Sequence, residues 1–215
     1  MTLNTSLLND MESFDLLLIN YQYYRSTLSR VFQYILTGDS KWSHVGIIIK
    51  NDIIPDIKNK IYIWHSSVRS NGVQLCELER YCQQDNLNIT EIGWCKLKNN
   101  PLQHRINDTD KSYNKRVSKI KNNINNLYIH NKKTKFNHFM PQLIFPFLKN
   151  MSPKPYPHLN IKKTYFCSEF ATTVYKIIKV VDKNVEPGSF LPSTLIKYEN
   201  KNDKIFNDPV YIYKK

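Results

Sequence analysis

The sequence predicts an α+β architecture, an antiparallel sheet with a helix packed against it. Two observations point there. Apolar runs of strand length, separated by polar and glycine-bearing connections, occupy residues 14–20, 43–50 and 61–66. A long amphipathic segment begins at Cys167, with Phe170, Val174, Ile177/Ile178 and Val181 at helical spacing. At 215 residues the chain has enough length for one domain with a real core.

Taken in order, residues 14–20 form the first strand. Residues 21–37 read as a helix, with Tyr24, Leu28, Val31, Phe32 and Ile35 on one face and Gly38 to break it. Residues 43–50 are the second strand and 61–66 the third. Gly72 turns the chain into a short strand at 73–76. A brief helix at 78–84 and a strand at 88–97 follow. Val117, Ile120, Ile124 and Leu127 place a helix over 113–127 with a lysine-rich outer face. Residues 136–148 are strongly apolar but broken by Pro141 and Pro146, and a proline-rich loop spans 153–157. The helix that starts at Cys167 is expected to run about four turns, to Val181. A short helix at 191–198 and a strand at 209–213 complete the chain.

The net charge of +13 is concentrated. Residues 96–163 hold 15 of the 31 Lys and Arg but only two of the 18 acids, and the rest of the chain is balanced. This basic insert lies between the two halves of the expected core. Two readings of it stand. The lysines are a solvated face while residues 136–148 pack over the sheet, or the insert engages an anionic partner. Acidic lipid is favoured over nucleic acid because aromatic and aliphatic side chains adjoin the bases. No run of eighteen apolar residues and no basic, then apolar, leader is present, so a cytoplasmic location is expected (or the virion, for a viral protein). With five glycines and no G-x-x-x-x-G-K pattern, neither a P-loop nor a dinucleotide fingerprint can be built. Cys76, Cys82 and Cys95 show no metal or disulfide spacing and read as reduced packing residues, so no metal or cofactor is expected.

Chemistry concentrates at two segments, Ser43-His44-Val45-Gly46-Ile47 and Tyr165-Phe166-Cys167-Ser168-Glu169-Phe170. Cys167 opens its helix, where unpaired N–H groups and the positive dipole end favour thiolate over thiol. A histidine beside it makes a nucleophile and general base, the roles of Cys167 and His44. His65, on the neighbouring strand, is the candidate to orient the His44 ring. The backbone N–H of Cys167 is one expected oxyanion donor, and a second is not identifiable. Glu169 reads as structural or substrate-facing. A thiolate–imidazolium pair would hold the cysteine below a pKa of about 7.5, the upper end for activated thiols.

These segments, with Asp15-Leu16-Leu17-Leu18 before them and Ile63-Trp64-His65 between, resemble the NlpC-type branch of papain-like cysteine peptidases. In most of that branch the cysteine precedes the strands. Here it follows them, which is similar to the circularly permuted members: YiiX-like hydrolases and lecithin:retinol acyltransferase-like enzymes, poxvirus and giant-virus proteins among them. The resemblance covers residues 13–78 and 160–198. It implies one permuted papain-like domain over residues 1–215 with a basic insert at 96–163, and a cysteine acyl-enzyme acting on a peptide or lipid acyl substrate through an amide, ester or thioester. It also implies that a histidine at position 65 belongs with the acyltransferase-like members. The departure is Phe14, where the family's strand usually opens with glycine. The alternative is a non-catalytic binding or virion-associated protein that uses the basic insert.

Overall fold

The computed structural model describes residues 3–22, 34, 41–55, 57–67, 71–84, 88–131, 135–136 and 164–215. The first half contains α1 (Thr5–Asp10), β1 (Leu16–Tyr21), β2 (His44–Ile49), β3 (Tyr62–Ser67), β4 (Gly72–Glu77), α2 (Leu78–Cys82) and β5 (Ile89–Cys95). The second contains α3 (Asp110–Asn131), β6 (Lys135–Phe136), β7 (Thr164–Tyr165), α4 (Cys167–Ile177), α5 (Pro192–Leu195), β8 (Glu199–Asn200), β9 (Asp203–Lys204) and β10 (Val210–Lys214). Six of these strands form one sheet in the order β10-β5-β1-β2-β3-β4, and every neighbouring pair in it is antiparallel.

Residues 16–19 of β1 and 45–49 of β2 carry no polar side chain because the sheet is covered on both faces. Alternation along β1 and β2 sends Leu16, Leu18, Val45, Ile47 and Ile49 to one side. There they pack with Trp64, with Phe170, Ala171, Val174 and Tyr175 of α4, and with Ile120 and Ile124 of α3. Leu17, Ile19 and Ile48 face the other side, with Ile63, Ile92, and Leu78 and Tyr81 of α2. Fully burying each such side chain contributes roughly 1.5–3 kcal/mol, so α4 is held to the sheet chiefly by its inner face.

Asp15 fixes the start of β1. Its buried carboxylate accepts hydrogen bonds from Trp94 Nε1 at 2.8 Å, from the Leu97 N–H at 2.9 Å and from the Glu12 N–H at 2.9 Å. Just before it, Phe14 sits at φ 78° with its side chain fully buried. The tight turn that glycine serves in the resembled family is therefore made here by a non-glycine residue in the left-handed region. Tyr175 of α4 donates to the Phe14 carbonyl at 3.0 Å, tying the cysteine helix to this turn.

Some expectations shift. The helix at Cys167 ends at Ile177, about one turn early, because Lys179 takes a left-handed conformation (φ 63°) and the N–H groups of Val180 and Val181 fold back to the Tyr175 carbonyl. Helix α3 is longer than the periodicity suggested, and Lys111, Lys115 and Lys119 lie exposed along it at four-residue intervals. Tyr21, expected to begin a helix, ends β1, and Gln22 after it is not helical; the rest of that expected helix lies outside the described residues apart from helical Tyr34. The apolar stretch 136–148, beyond Phe136, and the loop 153–157 also lie outside them. No described helix is long and apolar enough to cross a membrane.

Candidate active site

Cys167 is the first residue of α4, and its placement is over-determined. Phe166 ahead of it is extended (φ −76°, ψ 162°), and its N–H donates to Glu169 Oε2 at 3.1 Å. Glu169 thus caps the helix start, a structural part for that residue. Ser168 donates to the Phe190 carbonyl at 2.6 Å, and Thr172 to the Ser168 carbonyl at 2.8 Å. From the sheet, Ser66 at the end of β3 donates to the Tyr165 carbonyl at 2.7 Å.

The β2–β3 ladder runs from Ile49↔Tyr62 to Ile47↔Trp64 and goes no further toward the start of β2. The next outward-facing amide, the Val45 N–H, is directed instead at the sulfur of Cys167, as are the N–H groups of Ser168 and Cys167 itself. The sulfur therefore meets the sheet one residue from His44, where the two strands part.

His44 and His65 lie on the same face of adjacent strands, alternating with Ile48 and Ile63. Both are buried, His44 at 6% exposure and His65 at 1%. His44 Nε2 is 2.7 Å from His65 Nδ1, with the rings edge-on at 4.9 Å. His44 Nδ1 is the ring nitrogen that His65 does not engage. On the far side of His65, its Nε2 is 2.9 Å from the Gln74 side-chain amide, Gln74 being its cross-strand partner on β4. Tyr21 packs near the His44 ring and Tyr81 near the His65 ring, at 5.6 Å and 5.0 Å, and their hydroxyls are hydrogen-bonded to one another. Gly46 keeps this arrangement tight. A Cβ there would lie 2.4 Å from Ile63 Cγ1 and 3.3 Å from His65 Cβ.

The electrostatics correct one expectation. The Cys167 thiol is pushed up to about 11 by burial, which outweighs the three backbone N–H groups that favour thiolate. Burial likewise lowers His44 to about 3, and lowers His65 well below its ordinary value, with the neighbouring His44 adding to the effect. The thiol and both imidazoles are therefore neutral at rest, not the ion pair that a helix N-terminus suggests. The helix end acts over one turn, whereas desolvation sums over all the surrounding core.

The structure thus pairs His44 with His65 and sets the Cys167 sulfur against the Val45 backbone, the next residue of β2 after His44. Two groups escaped the sequence reading. Val45 is apolar, and only its backbone serves the site. Gln74 could have been found by pairing β4 against β3 residue by residue. The other cysteines lie elsewhere, Cys82 and Cys95 each pushed to about 12 by burial and Cys76 raised by it. His104 stacks on Tyr113 at 3.8 Å, and His130 lies exposed near the end of α3. His138 and His158 fall outside the described residues. Among the described residues no cluster of three or more His, Cys, Asp or Glu is set to hold a metal ion. A scan of the sequence against protein-family models finds no match, and a search of curated proteins finds none either.

Proposed function

We propose that this chain is a cysteine hydrolase or acyltransferase of the permuted NlpC-type, papain-like kind, acting on an amide, ester or thioester. The observation that carries the reading is a thiol in the first turn of α4 that the Val45 N–H favours as thiolate, with a hydrogen-bonded histidine pair starting at the preceding residue of β2, His44. The element order supports it too: five strands of the antiparallel sheet come first and the cysteine helix, packed on β2 and β3, comes after them.

The chemistry starts from the neutral pair. As the Cys167 sulfur attacks the carbonyl carbon, its proton passes to His44 Nδ1 and the carbonyl electrons move onto oxygen. In this reading the N–H groups of Cys167 and Val45, both acting on the sulfur at rest, serve as the oxyanion donors, with Val45 as the second one. Collapse expels the leaving amine, alcohol or thiol, which takes the proton from His44. Water or an acceptor then attacks the thioester with His44 again as base. His65 holds the His44 ring in place and disperses the charge it acquires. A peptide or a lipid acyl group meets these requirements equally.

Incubation with a p-nitrophenyl ester, an acyl thioester and a peptide amide, followed by intact-mass measurement, tests the reading. One acyl group should appear on Cys167, be lost in Cys167→Ala and His44→Ala, and form more slowly in His65→Ala. Absence of the adduct from the unmodified protein, or its survival in Cys167→Ala, refutes the proposal.

A further inference from the structure

Gln74, His65 and His44 form a single file of hydrogen bonds, 2.9 Å and then 2.7 Å between the heavy atoms. A neutral imidazole carries one N–H and one lone pair, so the direction of one bond in the file dictates all the others. With the Gln74 nitrogen toward His65, as found, the amide donates to His65 Nε2. His65 then carries its proton on Nδ1 and donates to His44 Nε2, and His44 must carry its own proton on Nδ1. That is the nitrogen a base needs bare.

Half a turn of the carboxamide brings Oε1 to nearly the same position and reverses every bond. His65 Nε2–H now donates to Gln74, His44 Nε2–H donates to His65 Nδ1, and His44 Nδ1 is left with its lone pair bare. Gln74 is half-buried on β4, the edge strand, whereas the two rings are buried and bonded to each other. Both histidines being neutral, these two tautomeric arrangements are the ones that keep the file bonded.

We propose that Gln74 is a positioning residue of this site, its carboxamide selecting the tautomer of the His65–His44 pair: oxygen inward arms His44 as a base, nitrogen inward disarms it. The inference rests on the acyl-transfer reading of Cys167, and its test separates the two. Protein carrying ¹⁵N-histidine is compared with Gln74→Glu, whose ionised carboxylate can only accept, and Gln74→Leu, which can do neither. Long-range ¹H–¹⁵N correlation reports which nitrogen of His44 holds the proton, and acetylation by p-nitrophenyl acetate is followed on Cys167. Gln74→Glu should hold the His44 proton on Nε2 and acetylate at least as fast as the parent. Gln74→Leu should gain Nδ1–H signal and slow about tenfold, the lower end for outer partners that fix a histidine tautomer. An identical His44 tautomer in all three proteins, or a Glu variant no faster than the Leu variant, overturns the proposal. Failure of the parent protein to acetylate at all overturns the enzyme reading instead, and the nitrogen spectra still decide the relay.

Discussion

Raising pH in the presence of iodoacetamide probes the resting thiol directly, because a simple alkyl halide reacts with thiolate and offers no carbonyl for His44 and the backbone donors to work on. With the thiol at about 11, Cys167 carries roughly 300-fold less thiolate at pH 7 than an ordinary cysteine near 8.5. His44, lowered to about 3, remains neutral over the same range and supplies no cation to stabilise the anion. Tyr165 and Glu169, the nearby groups with raised pKa values, add none either. Alkylation of Cys167, followed by peptide mass spectrometry from pH 6 to 10, should therefore rise about tenfold per pH unit throughout, since each unit multiplies the thiolate tenfold well below the pKa. Acylation by an activated ester should be far less steep, because the proton leaves to His44 during attack. A plateau or shoulder in the alkylation profile below pH 7 would refute the reasoning. It would mean that the N–H groups of Val45, Ser168 and Cys167 outweigh burial and hold an ion pair at rest.

The same buried imidazole makes stability depend on pH. Below 6.5 the unfolded chain takes up a proton at His44 that the folded protein refuses until about pH 3, so this contribution is complete above 6.5 and drains as pH falls. The loss from His44 amounts to about 2 kcal/mol at pH 5, with His65 acting in the same direction. Urea unfolding at pH 7 and pH 5 should show His44→Gln losing less stability between the two than the parent; equal losses would contradict the assignment. At Phe14, both Phe14→Ala and Phe14→Gly should destabilise by about 3–5 kcal/mol through the lost buried ring. The glycine variant should be the more stable of the two by about 1 kcal/mol, since alanine keeps the left-handed strain at φ 78° and glycine does not. An alanine variant as stable as the glycine one would show the turn to be unstrained.

Much of the scaffold is legible in the chain because the terms that encode it are local. The apolar runs of β1, β2 and β3, the turn at Gly72 and the spacing after Cys167 each act within a few residues, and the strands lie within a residue or two of their expected bounds. Residue type and motif marked Cys167, His44 and His65 for the same reason. Their meeting is another matter. Alternation puts Val45 and Ile47 beneath the cysteine helix and His44 on the opposite face with Ile48, and the Val45 N–H is left for the Cys167 sulfur because the β2–β3 ladder ends at Ile47↔Trp64. Gln74 enters only through the cross-strand register with His65. Even the protonation of the site departs from what the helix start implies. The dipole and unpaired N–H groups of a helix end belong to one turn of chain. Register and desolvation belong to every element packed around the site, and here the desolvation is the larger force.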